Sequence, residues 1–427
     1  MTFHTQPVRD IAKGIKENRF TQGDLFQSFL EVVAKDSGLL IWQDYKRNLS
    51  AVSGGEGILS GVLIGIKDNI ATSEFPTTMG VKSWRGTTGG FDARVVSRLR
   101  DSGCVIAGKT KCSAFAIHDT TGTLNPRYPD SEPGTSSSGS AAAVAASHVS
   151  LALGTQTAGS ISKPASYCGI IGFKPTFGEI PRTGVLKTTE MFDSIGFFGR
   201  RISDIEILYL QSRVSGRDHP VHEKRRVVNR SLRFKRALML SGSGIDRPTT
   251  ALVAQFVQTI QAISEENRLD LETISTFNFE ELRDSLFKIY YKELSYFLRD
   301  QDFTIEVSDS LSEIIRFGSS ISVNEYESAK VLVHTWRNVV SQIPSETLIF
   351  SLATSQSAPL LGREDLIDAN FFITSAGLPQ LSIPMLRDED GRLVNLSISS
   401  TRHSDETLLG FGHRLFPDDA LLLPSYA

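Results

Sequence analysis

The chain has 427 residues, of which 40% are hydrophobic and 22% charged, so it can bury a large core. The formal net charge is only -3. This value offers no electrostatic argument for binding to nucleic acid or to an anionic membrane surface, and small-molecule chemistry is the function class that is left.

The N-terminal segment has the pattern of two helices and no apolar secretory signal. Val8, Ile11 and Ile15 fall on one helical face. Thr21, followed three residues later by Asp24, predicts the N-cap of a second helix. We expect residues 1–60 to brace the core. The most apolar window, 141–153, is too short to cross a bilayer, so we expect a soluble cytoplasmic protein.

From about residue 61, short apolar runs alternate with helical stretches, as in an α/β sheet. Residues 62–66 and 105–108 are typical of buried strands. Lys67 directly follows the first strand, at the kind of carboxyl end where open α/β sheets place their sites. Burial can make a lysine neutral and therefore a base for a serine nucleophile. The alternative is a lysine that starts a solvated loop or pairs with Asp68.

Two loops of small residues follow. Residues 133–146 run from a hydroxyl-rich loop into an alanine-rich helix, whose N-terminal amides suit developing negative charge. A serine-rich linker is the alternative, but linkers rarely continue into a strong helix former. Residues 154–160 end in Ser160, and such a loop can supply a nucleophile and an oxyanion hole of backbone N–H groups. A tight turn after a strand is the alternative there.

The C-terminal half continues the α/β pattern. Residues 213–236 are rich in Lys and Arg, and a solvated connection is favoured over a docking patch or anion site. Residues 237–240 predict a strand, and Pro248 is expected to open a helix. Residues 277–340 are mostly helical and rich in aromatic residues, which favours core packing over a pocket lining.

Nothing in the sequence predicts a metal or an organic cofactor. The chain has no HExxH, Rossmann or P-loop motif. Cys104, Cys112 and Cys168 form neither a CxxC pair nor a disulfide framework, and we expect buried thiols in a reducing compartment. His118 and His148 lie closest to the small-residue loops, and we interpret both as structural.

The loops and the lysine together resemble the amidase signature family. The similarity extends over several motifs in the family's order, at residues 65–69, 133–146, 153–165, 168–176, 192–197, 375–384 and 405–409. The resemblance implies an α/β fold, with a mixed central β-sheet covered by helices on both faces and a helical substrate-covering region.

The resemblance also implies roles for individual residues. Ser160 would be the acylating nucleophile, Ser136 the serine that passes protons and follows a cis peptide bond, and Lys67 the base. The oxyanion would be held by the backbone N–H groups of four residues: Thr157, Ala158, Gly159 and Ser160. The side chains of Ser137 and Gln156 would support the site. The chain departs from the family's usual residues at Thr135, Gln156, Ser138 and Ala158.

We predict one large globular domain. In it, residues 61–212 form the amidase signature core with the catalytic residues. Residues 213–427 complete the α/β core and include a helical substrate-covering segment at about 277–340.

The predicted function is hydrolysis of a small-molecule carboxamide or a related linear C–N bond through an acyl-Ser160 intermediate, without a cofactor. Two alternatives stay open: a glutaminase-like A subunit of an amidotransferase complex, and a catalytically silent amidase-like binding protein. The presence of Lys67, Ser136 and Ser160 together argues against the silent protein. A small-molecule amide is the predicted ligand, nucleic acid and membrane are not predicted partners, and a homodimer stays open.

Overall fold

A computed structural model describes residues 3–47, 55–81, 84, 90–213, 233–240, 248–274, 279–299, 308–363 and 369–420. These residues form one mixed sheet of 11 strands with α-helices packed on it. The strands in chain order are β1 (Trp42–Tyr45), β2 (Leu63–Lys67), β3 (Val105–Thr110), β4 (Leu151–Gln156), β5 (Ile171–Lys174), β6 (Ser194–Gly199), β7 (Arg236–Leu240), β8 (Asp270–Ile274), β9 (Thr347–Leu352), β10 (Gln380–Arg387) and β11 (Leu393–Ser400).

The helices alternate with the strands over most of the chain, as the sequence pattern predicts. They are α1 (Val8–Lys16), α2 (Gln22–Lys35), α3 (Arg94–Asp101), α4 (Ser138–Ala145), α5 (Ser162–Cys168), α6 (Ile202–Ser212), α7 (Thr250–Asn267), α8 (Phe279–Arg299), α9 (Asp309–Ser320), α10 (Val323–Ser341), α11 (Asn370–Ala376) and α12 (Asp405–Leu415).

The sheet has two groups of parallel strands on either side of an antiparallel centre, and β1 pairs antiparallel with β3 at one edge. The order across the sheet is β1-β3-β2-β4-β6-β5-β10-β11-β9-β7-β8. Strand β2 pairs in parallel with both β3 and β4, so that Ile66 lies beside Lys109 on one side and Leu153 on the other. The carboxyl ends of these strands therefore meet at one edge, where β2 ends with Lys67.

Alternate residues of β2 and β3 pack on opposite faces of the sheet, because successive side chains of a strand point in opposite directions. Ile64 and Ile106 join a core cluster with residues of α1, α3, α6, α7 and α12. Leu63 and Val105 join a second cluster with residues of α2, α4 and α5. The prediction of a mixed sheet with helices on both faces is confirmed.

Local signals in the sequence set several helix ends. Thr21 accepts a hydrogen bond from the Asp24 N–H at 3.1 Å and closes a capping box at the start of α2, as predicted. The helix expected to open at Pro248 begins instead at Thr250. Its N-cap is Thr249, whose hydroxyl accepts from the N–H of Leu252. A hydroxyl side chain can satisfy an orphan helical N–H, which proline cannot do.

The aromatic-rich segment forms α8, α9 and α10, and much of it is core. Phe279 and Trp336 pack with α11, whereas Tyr290 packs with Phe115 in another cluster. Tyr296, by contrast, is exposed. Most of the predicted basic segment, residues 214–232, lies outside the described residues. At its start, Arg213 forms an ion pair with Glu406.

Two further predictions concern the cysteines and the membrane. All three cysteines are buried and free. Within the described parts of the chain, the helices are all too short or too polar to span a bilayer.

Candidate active site

Lys67 is a buried lysine with hydroxyl partners. Its side chain is 0% exposed, because every residue of β2 is enclosed between β3, β4 and the helices on both faces. The Nζ atom lies 2.7 Å from Ser136 Oγ and 2.9 Å from Thr155 Oγ1. Burial lowers the pKa of Lys67 to about 8, and attraction to Asp193 opposes that shift. The neutral amine is therefore the minor form at neutral pH, and its share grows as the pH rises through about 8.

The alternative partner of Lys67, the adjacent Asp68, is engaged elsewhere. Its carboxylate accepts hydrogen bonds from the N–H groups of Thr78 and Gly80 and lies 3.5 Å from Lys109 Nζ. Burial raises the pKa of Asp68, and the Lys109 ammonium opposes that shift. The ion pair thus forms between Asp68 and Lys109, and Lys67 contacts the serine loop.

Ser136 precedes α4 by two residues and is buried. The peptide bond between Thr135 and Ser136 is cis, at the position that the resemblance implied. Thr135, which replaces a usual glycine, is accommodated with its hydroxyl 2.9 Å from His118 Nδ1. The preceding Gly134 has φ of +81°, and a Cβ there would lie 2.8 Å from Pro164 Cα. Only glycine allows this close approach of the serine loop to α5.

Ser160 follows β4 and is partly exposed, as a residue that meets a substrate must be. In the described chain, the N–H groups of Ala158, Gly159 and Ser160 have no hydrogen-bond partner. Unpaired, partly exposed donors of this kind can bind an oxyanion. Among the hydrogen bonds of the described residues, none joins Ser136 directly to Ser160. The structure thus brings Lys67 and Ser136 together, and it places Ser160 in the adjoining loop.

Ser137 and Gln156, the two predicted supporting residues, form hydrogen bonds that fix the serine loop and the segment 157–160. Ser137 Oγ donates to the carbonyl of Thr155 at 3.2 Å, which ties the serine loop to β4. Gln156 Oε1 accepts from the N–H groups of Ile161 and Ser162, at 2.8 and 3.1 Å. One side chain therefore bridges the two ends of the segment 157–160, and it satisfies N–H groups at the start of α5 that lack helical partners.

Three further residues contact this site, and no pattern in the sequence predicts a role for them. Thr155 Oγ1 also accepts from Asn69 Nδ2 at 2.9 Å. Asp193 accepts from Thr157 Oγ1 at 2.6 Å and from the N–H of Thr188 at 2.6 Å. Thr155, Asn69 and Asp193 all lie within the motifs that carry the resemblance. Their contacts depend on which strands are neighbours, and no local pattern reveals that.

Asp193 is buried, and burial raises the pKa of its carboxyl group, although its hydrogen bonds with threonine residues oppose that shift. Through Thr157 it anchors the first residue of the candidate oxyanion loop. In the described residues, no group of three or more His, Cys, Asp or Glu side chains is arranged to hold a metal ion. The chemistry available here is that of hydroxyls, an amine and backbone N–H groups.

Comparisons with known proteins place this chain in a family. A family model described as Amidase matches residues 27–341. The A subunit of glutamyl-tRNA(Gln) amidotransferase from Rippkaea orientalis is 28% identical over 410 residues, which cover 84% of this chain and 83% of that protein.

Two solved structures have similar folds. The peptide amidase from Stenotrophomonas maltophilia has a TM-score of 0.81 at 21% identity, over 99% of this chain and 98% of its own. The A subunit of glutamyl-tRNA(Gln) amidotransferase from Thermotoga maritima has a TM-score of 0.78 at 23% identity, over 95% and 93%. The family match and the shared fold lead to one conclusion: this chain belongs to the amidase signature family.

Proposed function

We propose that the chain hydrolyses a carboxamide C–N bond through an acyl intermediate on Ser160. The observation that carries the proposal is the 2.7 Å contact between Lys67 Nζ and Ser136 Oγ in a buried environment that lowers the pKa of the lysine to about 8. A base needs a pKa near the working pH, and this lysine meets that requirement.

In the first half of the reaction, neutral Lys67 accepts the Ser136 proton while Ser136 takes the proton of Ser160. Ser160 Oγ then attacks the amide carbonyl carbon, and the N–H groups of the segment 157–160 stabilise the oxyanion. The proton transfers then run in the opposite direction, from Lys67 through Ser136 to the departing nitrogen. The C–N bond breaks, and an ester to Ser160 remains. Catalytic hydrogen bonds often tighten only when substrate binds, and we expect this of the Ser136–Ser160 step.

In the second half, water replaces the amine. Lys67 and Ser136 remove a proton from the water, which attacks the ester carbonyl. Collapse of the second oxyanion releases the carboxylic acid and returns the proton to Ser160. The net reaction converts an amide and water into a carboxylic acid and an amine, or ammonia if the amide is primary.

Two substrates fit this chemistry, and the similarity favours one of them. The first is a free small-molecule amide. The second is a primary amide such as glutamine, hydrolysed by an amidotransferase A subunit that supplies ammonia within a larger assembly. Similarity to the A subunit of a glutamyl-tRNA(Gln) amidotransferase over most of both chains supports the second candidate better. A homodimer and a cytoplasmic location remain predictions.

We also propose that α8 covers the substrate site within one large domain. Its Tyr290 hydroxyl donates to the carbonyl of Ala116 at 3.4 Å, in the segment that continues to His118 and the serine loop. Glu293, further along α8, accepts from the N–H of Glu190 at 2.7 Å, near Asp193. The helix thus contacts both segments that flank the candidate site.

The test is amide hydrolysis by the purified protein, with ammonia or amine release measured for glutamine, asparagine, aliphatic amides and aromatic amides. Ser160→Ala is the control and is expected to lose all turnover. Activity of Ser160→Ala at the wild-type level would refute the nucleophile assignment. Turnover of glutamine that rises when the protein is purified with its native partners would favour the amidotransferase role; full turnover of another amide by the protein alone would favour the free amidase.

A further inference from the structure

Three buried carboxamide side chains form a hydrogen-bonded chain from the nucleophile segment to the C-terminal third of the protein. Gln156, Gln380 and Asn370 are each 0% exposed. Gln156 ends β4, Gln380 begins β10 and Asn370 begins α11. We call these three side chains the carboxamide relay.

Each amide in the relay has only one possible orientation. At one end, Gln156 Oε1 must face the N–H groups of Ile161 and Ser162, because these groups can only donate. Its Nε2 therefore faces Gln380 and donates to Gln380 Oε1 at 3.0 Å.

The other end imposes the same direction. Asn370 Nδ2 donates to the carbonyl of Ala353 at 2.7 Å, and a carbonyl can only accept. Asn370 Oδ1 therefore faces Gln380 and accepts from its Nε2 at 2.7 Å. Gln380 must consequently present its oxygen to Gln156. The backbone groups at both ends therefore require the same orientation of the three amides. No amide in the relay can flip without leaving buried groups unpaired.

A branch from the relay enters the nucleophile segment. Gln156 Nε2 also donates to Thr374 Oγ1 at 2.8 Å, and Thr374 Oγ1 donates to the carbonyl of Ala158 at 2.8 Å. The C=O and N–H of one trans peptide point in opposite directions. Anchoring the Ala158 carbonyl therefore sets the direction of the Gly159 N–H, one of the unpaired donors of the candidate oxyanion hole.

We propose that Gln380 is a positioning residue for the reaction, and that it holds the Ser160 segment in its reactive geometry through Gln156. This inference rests on the proposed function for its catalytic consequence, while its structural consequence can be measured separately. Gln380 lies on the antiparallel centre of the sheet, where β10 pairs with β5 and β11. It connects a rigid strand to a loop that must keep its N–H groups aimed at the substrate.

The experiment compares Gln380→Met, which keeps the length of the side chain and removes its hydrogen bonds, with Ser397→Ala. Ser397 Oγ accepts from Gln380 Nε2 at 2.8 Å and is not on the path to Gln156. We expect kcat of Gln380→Met to fall about tenfold or more with little change in KM, since only the reactive geometry is lost. Ser397→Ala should keep kcat within about twofold of the wild type.

Hydrogen exchange of the backbone in residues 157–162 provides the readout that does not depend on turnover. Gln380→Met should accelerate exchange of the Ile161 and Ser162 amides about tenfold, and Ser397→Ala should not. Wild-type exchange and wild-type kcat in Gln380→Met would overturn the inference. If the wild-type protein turns over no amide, the proposed function fails. The exchange measurement alone then tests whether Gln380 positions the Ser160 segment. If Gln380→Met does not fold, Gln380→Asn gives the same test, because its shorter side chain withdraws the amide oxygen from Gln156 Nε2 and keeps a carboxamide in the site.

Discussion

The carboxylate of Asp68 pairs with Lys109 on the neighbouring strand, at 3.5 Å, while Lys67, its neighbour in the chain, contacts Ser136 at 2.7 Å. These two residues are adjacent in the chain but have different partners: Asp68 pairs with Lys109, and Lys67 contacts Ser136. The ion pair connects the segment that follows β2 to β3, whereas burial lowers the pKa of Lys67 to about 8.

The pH dependence of turnover should follow the protonation of Lys67. Because burial lowers its pKa from the usual value of 10.5 to about 8, kcat should rise with pH through about 8 and then level off. Lys67→Ala should lower kcat by roughly 100- to 10,000-fold, the usual contribution of a general base. Steady-state rates across the neutral and alkaline range test both statements. Recovery of Lys67→Ala to wild-type rates at alkaline pH would contradict the role as base.

Thr155 should affect the pKa and the position of Lys67. Its hydroxyl lies 2.9 Å from Lys67 Nζ and favours the protonated amine by accepting a hydrogen bond from it. Thr155→Val removes this acceptor, so the inflection of the pH–rate profile should move to lower pH, and kcat above the inflection should fall about tenfold because Lys67 is less well positioned. Thr155→Ser keeps the hydroxyl and is the matched control. Identical profiles for the Val and Ser variants would exclude this role.

Asp193 should support the oxyanion segment. Asp193→Asn retains one acceptor, but its NH₂ group would face N–H groups, such as that of Thr188, that now bind a carboxylate oxygen. We expect kcat to fall roughly tenfold to 100-fold with a small change in KM, since a displaced Thr157 would misdirect the oxyanion donors. Kinetics with a primary amide provide the measurement.

The matched control for Asp193 is Asp204→Asn. Asp204 is also a buried carboxylate, but it accepts from the N–H of Val8 at the start of α1. Asp204→Asn should leave kcat unchanged. Equal losses of kcat in both variants would mean that the effect of Asp193→Asn is a general loss of stability.

The Asp68–Lys109 pair should be important for stability. Both side chains are 0% exposed, so Lys109→Met would leave a buried carboxylate without its cation. This loss should lower the free energy of unfolding by about 3–5 kcal/mol, visible as a lower urea midpoint. The double variant Lys109→Met/Asp68→Asn should lose less than the sum of the two single variants, because the pair is coupled. Strict additivity would show that the two side chains do not interact.

Much of the candidate site could be predicted from local sequence. The apolar run before Lys67 predicts a strand that ends at the lysine, and β2 ends there. The small residues before Ser136 predict a loop that runs into a helix, and α4 begins two residues after this serine. Around Ser160 the small residues predict only a loop, and the structure adds α5, which begins two residues later. These features depend on backbone conformation and burial, which neighbouring residues largely control.

The partners of these residues could not be predicted in the same way. Gln156 and Gln380 are separated by 224 positions in the chain, and Gln156 and Thr374 by 218. Which of them meet depends on the strand order β4-β6-β5-β10, and no periodicity in the sequence encodes that order.

Local sequence, together with the resemblance to the amidase signature family, was therefore sufficient to propose Lys67, Ser136 and Ser160 as the reactive side chains and to predict the strand before Lys67 and the helix after Ser136. The contacts of Lys67 with Ser136 and Thr155, and the chain of amides that connects the Ser160 segment to β10, became known only from the folded chain. Propensity, capping and side-chain alternation act over a few residues, whereas long-range hydrogen bonds and burial depend on which distant strands the whole core brings together.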